Sequence, residues 1–300
     1  MNKRLQGTLI LMLTAIVWGI SFVSQSVSMD HIEPNTFCGI RTIIGAISLI
    51  PVILVMDSSK KKKGIETTFN KKTLIRGGVI CGILLCIAAT LQTYGLKYTT
   101  AGKAGFVTAM YMVIVPMYSL FFGKKIRPVI ALSVVVAVVG MYFLCIKDGF
   151  KLEIGDVYVL ICAFVFAFHI MAVDYFSPRV DGVKLSFLQF LVCGIINCVL
   201  MFAIESPNLS EILKCTVPIL YAGIMSCGVA YTLQIIGQKY AEPTVASIVM
   251  SLESVFAALA GWMIIGQAMS LREIFGCLLM FTAIVIVQLP EKQGKVIKEN

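Results

Sequence analysis

Leu91-Gln92-Thr93-Tyr94-Gly95-Leu96-Lys97-Tyr98 recurs as Leu233-Gln234-Ile235-Ile236-Gly237-Gln238-Lys239-Tyr240, with five identities in eight positions, and each copy closes an apolar stretch. Outward from this pair, Gly123 matches Gly266 after one insertion. Upstream, Gly7, Trp18 and Arg41 align with Gly155, Phe166 and Gln189. The chain is a duplication, and each copy holds five apolar stretches. Because five is odd, a second copy that crosses a bilayer must start from the opposite side, which is the inverted-repeat plan of secondary transporters.

Composition requires the crossing. The chain has 300 residues, 58% of them hydrophobic and only 14% charged, with a mean hydropathy of +0.91. Apolar stretches fall at 6–28, 35–56, 74–96, 103–122, 128–146, 156–176, 184–204, 216–236, 244–265 and 271–289. At about 20 residues per spanning helix, ten of them use about 200 residues and leave no room for a soluble catalytic domain. The fold class expected is all-α integral membrane, with ten transmembrane helices in two inverted five-helix repeats. Residues 1–150 form the first repeat, 151–290 the second, and 291–300 a cytoplasmic tail. The first helix resembles a secretory leader, with Lys3 and Arg4 ahead and Ser24-Gln25-Ser26 behind. Its apolar run from Leu5 to Val23 exceeds the usual leader core of about 7–15 residues, and the repeat needs it as a helix.

Charge sets the orientation. With the N-terminus inside and the loops alternating, eighteen of the 25 Lys and Arg lie inside, including Lys60 to Lys63, six lie outside, and Arg41 lies within a span. Such a bias places both termini in the cytoplasm of a multi-pass protein of the cell membrane. It also explains the net charge of +9 without nucleic acid, since no basic stripe interleaved with aromatic residues is present. The partners expected are the lipid bilayer and a small-molecule substrate, with protons as the candidate coupling ion.

No cofactor is expected. The ten cysteines contain no CxxC pair and only His31 and His169 could supplement them, so no metal site is indicated. A glycine-rich phosphate loop is absent, which speaks against direct ATP coupling. An integral-membrane enzyme acting on a lipid-borne substrate would need clustered acids, histidines or a nucleophile with its base. The inner loops offer only dispersed acids such as Asp57, Glu66, Asp181 and Glu242. The chain is therefore read as no enzyme.

Three further segments carry a resemblance. Phe106-Val107-Thr108-Ala109-Met110-Tyr111-Met112-Val113-Ile114-Val115-Pro116, then Ala167-Phe168-His169-Ile170, then Ser251-Leu252-Glu253-Ser254-Val255-Phe256-Ala257-Ala258-Leu259 look like the EamA-type transporters of the drug/metabolite transporter superfamily. The resemblance runs from about Gly7 to Leu289. It implies a ten-helix basket in which helices 1–4 and 6–9 surround a central cavity while helices 5 and 10 support it. It also implies a secondary transporter that moves small metabolites such as amino acids, often outward, with broad drug efflux as the alternative in the same fold. The chain departs from the family pattern at Ser254, where proline is common, and at Lys124 and Gln267, where glutamate is common.

The candidate residues are those that a membrane interior makes costly. Glu253 is the deepest carboxylate, and an ion at the bilayer centre costs about 2.5–3.5 kcal/mol on insertion scales. It should therefore face the cavity as a proton carrier or amine binder, or else be a helix-to-helix hydrogen bond. Arg41 is the one basic residue well inside a span. It suits a substrate carboxylate through its planar fork, or locks onto backbone carbonyls or Glu253. Gln92 and Gln234 occupy equivalent repeat positions and can bind a polar substrate or join helices; Gln189 and Asn197 read as such joints. His169 reads as a proton relay or a neutral core residue. Trp18, Tyr111 and Tyr231, with Phe106 and Tyr94, could stack on an apolar or cationic substrate or simply pack. Pro116 removes a backbone hydrogen bond within helix 4 and is the expected kink or gating hinge.

Orientation is testable by cysteine labelling. A cysteine at Asp148 should react with an impermeant reagent from outside and one at Lys61 from inside. Labelling of the Asp148 position from the inner face alone would overturn the inverted topology.

Overall fold

The computed structural model describes residues 3–62, 70–99, 101–121, 123, 126–146, 153–265 and 269–289. The expected tail at 291–300, the Asp148 loop, Lys124, Gly266 and Gln267 lie outside them. Ten helices are long and apolar enough to cross a membrane, and no strand is present among the described residues. Helix 1 is Lys3–Ser28, helix 2 Pro34–Lys62, helix 3 Lys71–Leu96, helix 5 Pro128–Cys145, helix 6 Ile154–Phe176, helix 7 Gly182–Ile204 and helix 10 Leu271–Gln288. Helix 4 is split into Ala101–Thr108 and Tyr111–Phe121, and helix 9 into Pro243–Met250 and Glu253–Ile265. Helix 8 runs from Thr216 to Gln238 and widens into π-helix over Tyr221–Tyr231.

Starts of these helices follow local chemistry. Asn70 and Asp181 accept from backbone N–H groups in the first turns of helices 3 and 7, Ser270 and Glu273 cap helix 10 reciprocally, and prolines open helices 2, 5 and 9. Outward faces carry large apolar side chains such as Leu54, Val135, Val199 and Phe202, which only a lipid solvent tolerates in such number.

Packing repeats the duplication. Helix 2 lies along helix 7 and helix 5 along helix 10; helix 3 packs on helices 6 and 7 as helix 8 packs on helices 1 and 2; helix 1 meets helix 9 as helix 6 meets helix 4. This is the pattern of a pseudo-twofold axis that exchanges the halves. Ion pairs gather at both ends of the bundle: Lys60 with Asp181 and Lys184 with Asp57 at one face, and Lys97 with Glu33 at the other, where His31 Nδ1 also lies 3.2 Å from Glu211 Oε2.

Glycine makes the closest approaches possible. A Cβ on Gly155 would stand 2.7 Å from the Gly95 carbonyl oxygen, and one on Gly7 would stand 3.0 Å from the Gly237 carbonyl oxygen. These are the same contact twice, because the repeat relates Gly7 to Gly155 and Gly95 to Gly237. Without side chains, helix 3 meets helix 6 and helix 8 meets helix 1 backbone to backbone, the small-residue packing that membranes favour.

Two of the spanning helices are interrupted. The interruption of helix 4 falls at 109–110, upstream of Pro116, and the segment Tyr111–Phe121 runs through Pro116 unbroken. Its cause is a tightening of the backbone, with Met112 N–H bonded to Ala109 O at 3.0 Å and Val113 N–H to Met110 O at 2.8 Å. The matching interruption at 251–252 of helix 9 was not expected. There Ser247 and Ser251 bond back to the carbonyls of Thr244 and Ile248, both at 2.8 Å, which loosens the ordinary ladder.

Gly155→Ala should lower the unfolding temperature in detergent, with a cost of about 1–3 kcal/mol as expected for overpacking against backbone. Gly105→Ala is the control, because its nearest neighbour would be Ser254 Oγ at 3.6 Å, an ordinary contact. Equal melting of the two variants would contradict the backbone contact.

Candidate functional site

The two interrupted helices meet at the centre of the molecule. The spacing that relates Gln92 to Gln234 also relates Ala101 to Pro243, Thr108 to Met250 and Tyr111 to Glu253. Each of the last pair opens the second segment of its helix, and the two side chains meet: Tyr111 Oη donates to Glu253 Oε1 at 3.0 Å. Glu253 is 5% exposed. Its position in the first turn of Glu253–Ile265 sets the carboxylate at the positive end of a helix dipole, where a partly buried anion gains about 0.3–2 kcal/mol. That offsets part of the cost of depth. No cation lies within ion-pair distance of it among the described residues.

A cavity opens beside this pair, walled by side chains from seven of the ten helices. Its wall includes Trp18, Arg41, Gln92, Tyr111, His169, Tyr231, Gln234 and Glu253. Eight of the ten polar and aromatic candidates of the sequence thus come together from helices 1, 2, 3, 4, 6, 8 and 9. Phe106 and Tyr94 do not join them. Phe106 packs into the core beside helix 6, and the Tyr94 hydroxyl accepts from Asn35 Nδ2 at 2.8 Å. Pro116 is buried away from the cavity.

Arg41 does not snorkel. It is 6% exposed, with Nη1 facing Gln25 Oε1 at 3.5 Å, Nη2 facing Cys38 Sγ at 3.7 Å, and the guanidinium 4.9 Å from the Phe37 ring centre. Gln25 is held in turn by its donation to Thr93 Oγ1 at 2.8 Å. Neither Glu253 nor a backbone carbonyl accepts from Arg41 among the described residues, so both locks considered for it are absent. Trp18 and Tyr231 close part of the wall, with ring centres 4.6 Å apart.

His169 Nε2 lies 3.0 Å from Gln189 Oε1. In the tautomer protonated on Nε2 the ring donates to this amide oxygen and Nδ1 has no partner among the described residues. Gln189 therefore acts as the joint expected of it, as does Asn197, which donates to Cys193 O at 3.1 Å and accepts from Thr90 Oγ1 at 2.8 Å.

On the cavity wall, Trp18 Nε1, Ser21 Oγ and Arg41 Nε, from helices 1 and 2, and His169 Nδ1 and Gln234 Oε1, from helices 6 and 8, have no hydrogen-bond partner among the described residues; others, such as Asn35 Oδ1 and Gln189 Nε2, lie off that wall. Buried unpartnered groups cost about 1–3 kcal/mol each, and those on the cavity wall are the ones that a solute there could complete. The group from helices 1 and 2 suits a carboxylate and the group from helices 6 and 8, with Glu253, suits an ammonium.

Ser21, Gln25, Thr108, Ser226, Phe166 and Met250 also line the cavity, and the sequence alone did not single them out as a set. The repeat relates four of them: Ser21 to His169, Phe166 to Trp18, and Met250 and Thr108 to each other, by the spacings already given. Gln25 and Ser226 have no such mark.

The EamA-like transporter family matches twice, over residues 5–146 and 153–289, and the chain belongs to this family. An uncharacterized transporter of Archaeoglobus fulgidus is 30% identical over 289 residues, covering 96% of this chain and 87% of that one. The uncharacterized transporter YoaV of Bacillus subtilis is 21% identical over 272 residues, covering 88% and 90%. A solved protein crystal structure superposes with a TM-score of 0.74 at 18% identity, over 94% of this chain and 96% of that one, which shows the shared fold.

Water access separates the cavity from the rest of the core. Ser226→Cys should react with a small methanethiosulfonate, while Ser133→Cys, fully buried in helix 5, should stay unreactive. Equal reactivity would remove the cavity as an aqueous site.

Proposed function

We propose that the chain is a secondary transporter of small zwitterionic metabolites, amino acids and related compounds, which it exports across the cell membrane by alternating access. The carrying observation is that Arg41 and Glu253 line one cavity as buried opposite charges without pairing to each other. A cation and an anion left apart in a desolvated site are completed by a solute that brings both charges. The Arg41 end, with Trp18 Nε1 and Ser21 Oγ, takes the carboxylate. The Glu253 end, with His169 Nδ1 and Gln234 Oε1, takes the ammonium.

The same carboxylate supports proton coupling. Glu253 alternates between a bound proton and a bound ammonium, so outward passage of substrate is exchanged for inward passage of a proton. Both termini and the Lys60 loop are cytoplasmic in this reading, and the two five-helix repeats rock about the central axis. Broad drug efflux would instead favour apolar cations that need no carboxylate.

A melting screen of purified protein, followed by counterflow in vesicles, tests the substrate class. Free amino acids should stabilise the protein, by about 2.7 kcal/mol at 100 times the dissociation constant, while their decarboxylated and N-acetylated analogues should not. Stabilisation by the decarboxylated amines as strong as by the amino acids would favour drug efflux. Glu253→Gln then tests coupling: substrate affinity and exchange should fall together with accumulation driven by a pH gradient, because an amide neither pairs with an ammonium nor titrates. Normal gradient-driven transport by this variant would return Glu253 to a packing role.

A further inference from the structure

The two halves differ at one pair of ends. On one face, Lys97 Nζ donates to both oxygens of Glu33, at 2.8 and 2.6 Å, and ties the end of helix 3 to the turn between helices 1 and 2. The spacing that relates Gly7 to Gly155 carries Glu33 to Asp181, and the spacing that relates Gln92 to Gln234 carries Lys97 to Lys239. Duplication has thus placed an acid and a lysine at the same two positions on the opposite face.

There the pair is not made. Lys239 Nζ donates to Val180 O at 3.4 Å and lies 3.7 Å from where a Cβ of Gly182 would stand, so the ammonium rests on the two residues that flank Asp181. The Asp181 carboxylate is turned elsewhere. Oδ2 accepts from Lys60 Nζ at 2.5 Å, and Oδ1 accepts from the N–H groups of Val183 at 3.0 Å and Lys184 at 3.3 Å. Burial lowers the pKa of Lys239 from its ordinary value, with Asp181 pulling upward and Lys60 adding to the drop, as expected of an ammonium near an acid that another lysine holds. In the second copy the residue related to Lys60 is Asn208, so a second lysine competes for the acid only on the Lys239 face.

Other end contacts are matched. Glu205, at the end of helix 7, accepts from the N–H groups of Asn35 at 2.8 Å and Thr36 at 2.7 Å. Asp57, which the repeat relates to Glu205, accepts from Lys184 Nζ at 2.8 Å, and Lys184 is the counterpart of Thr36. Helices 2 and 7 are therefore tied at both faces, while the acid and lysine beside helices 3 and 8 are tied at only one.

We infer that Glu33 with Lys97 and Asp181 with Lys239 are alternating latches that close the two faces in turn, Lys60 holding Asp181 while the Lys239 latch is open. The inference rests on the alternating-access reading above. In a molecule of two inverted copies, the second state is reached when each half takes the conformation of the other. That exchange makes the Asp181 pair and breaks the Glu33 pair. Aspartate is one methylene shorter than glutamate, so the Lys239 latch closes only when the end of helix 8 moves onto the turn between helices 6 and 7. This is the movement that narrows that face.

The test uses Ser21→Cys as a cavity reporter in the full-length protein, oriented in vesicles, with an impermeant maleimide applied to one face or the other and labelling read above that of the parent chain. Lys97→Ala should raise labelling through the Lys97 face roughly two- to fivefold and lower it through the other, the range an exposed ion pair can bias. Lys239→Ala should do the reverse. Lys60→Ala should follow Lys97→Ala, because it frees Asp181 for Lys239; none of the three removes the Asp181 cap of helix 7. Lys239→Gln, which retains a donor for Val180 O, replaces the alanine variant if that variant does not fold. Labelling from both faces whose ratio none of the variants moves would leave alternation standing and overturn the latches. Labelling from one face alone in the reporter and every variant would overturn both.

Discussion

Inside a bilayer no water is available to satisfy a backbone amide or carbonyl, and the whole structure follows from that constraint. It makes every crossing helical and confines irregular backbone to places lined by protein. The two mid-membrane tight turns, at 109–110 and 251–252, therefore fall at the centre, where helices 4 and 9 face the cavity and the core. Val113 N–H to Met110 O and Ser254 N–H to Ser251 O close short turns, so the donors stay paired although the ladder is broken. The reward of the interruption is two helix beginnings in the middle of the membrane, one carrying Tyr111 and the other Glu253.

Those beginnings explain why ionisable groups can stand at such depth. A carboxylate on a helix start gains from the dipole and from the charge-assisted bond of a tyrosine hydroxyl, worth about 1.5–3 kcal/mol, which together approach the insertion cost of about 2.5–3.5 kcal/mol. Arg41 has a different solution. Its guanidinium lies over the Phe37 ring and against Gln25 and Cys38, an environment that holds the cation in place while leaving Nε without a partner. A fully paired Arg41 would be a structural ion. Incomplete pairing is what leaves it available to a solute.

The fold was legible because duplication and hydropathy report on the same object. Pairing of Gly95 with Gly237 in sequence became the doubled backbone contact with Gly155 and Gly7, and eight of the ten polar and aromatic candidates share one wall because each sits on the inner side of its helix. The interruptions were not legible, since Ala109-Met110 and Ser251-Leu252 contain neither glycine nor proline and the tight turn there is set by packing and serine back-bonding. Gln25 escaped notice because its role, bridging Arg41 to Thr93, depends on two other helices.

Duplication fixes the frame, and divergence between the copies supplies the chemistry. Related positions keep similar size and location but lose their likeness in charge: Arg41 against Gln189, Tyr111 against Glu253, Ser21 against His169. Two identical halves would give a cavity symmetric about the axis and equally stable when open to either side. Opposite charges on different halves give the cavity a direction, so a zwitterion has one preferred orientation in it. Differences at the ends act on the balance of states in the same way. An exposed pair such as Lys97 with Glu33 contributes about 0.2–1 kcal/mol, too little to lock a face and enough to shift a two-state ratio severalfold. A transporter requires states of nearly equal energy, because any contact much stronger than this would trap one of them. Weak, exposed and partly competing ion pairs at the ends meet that requirement.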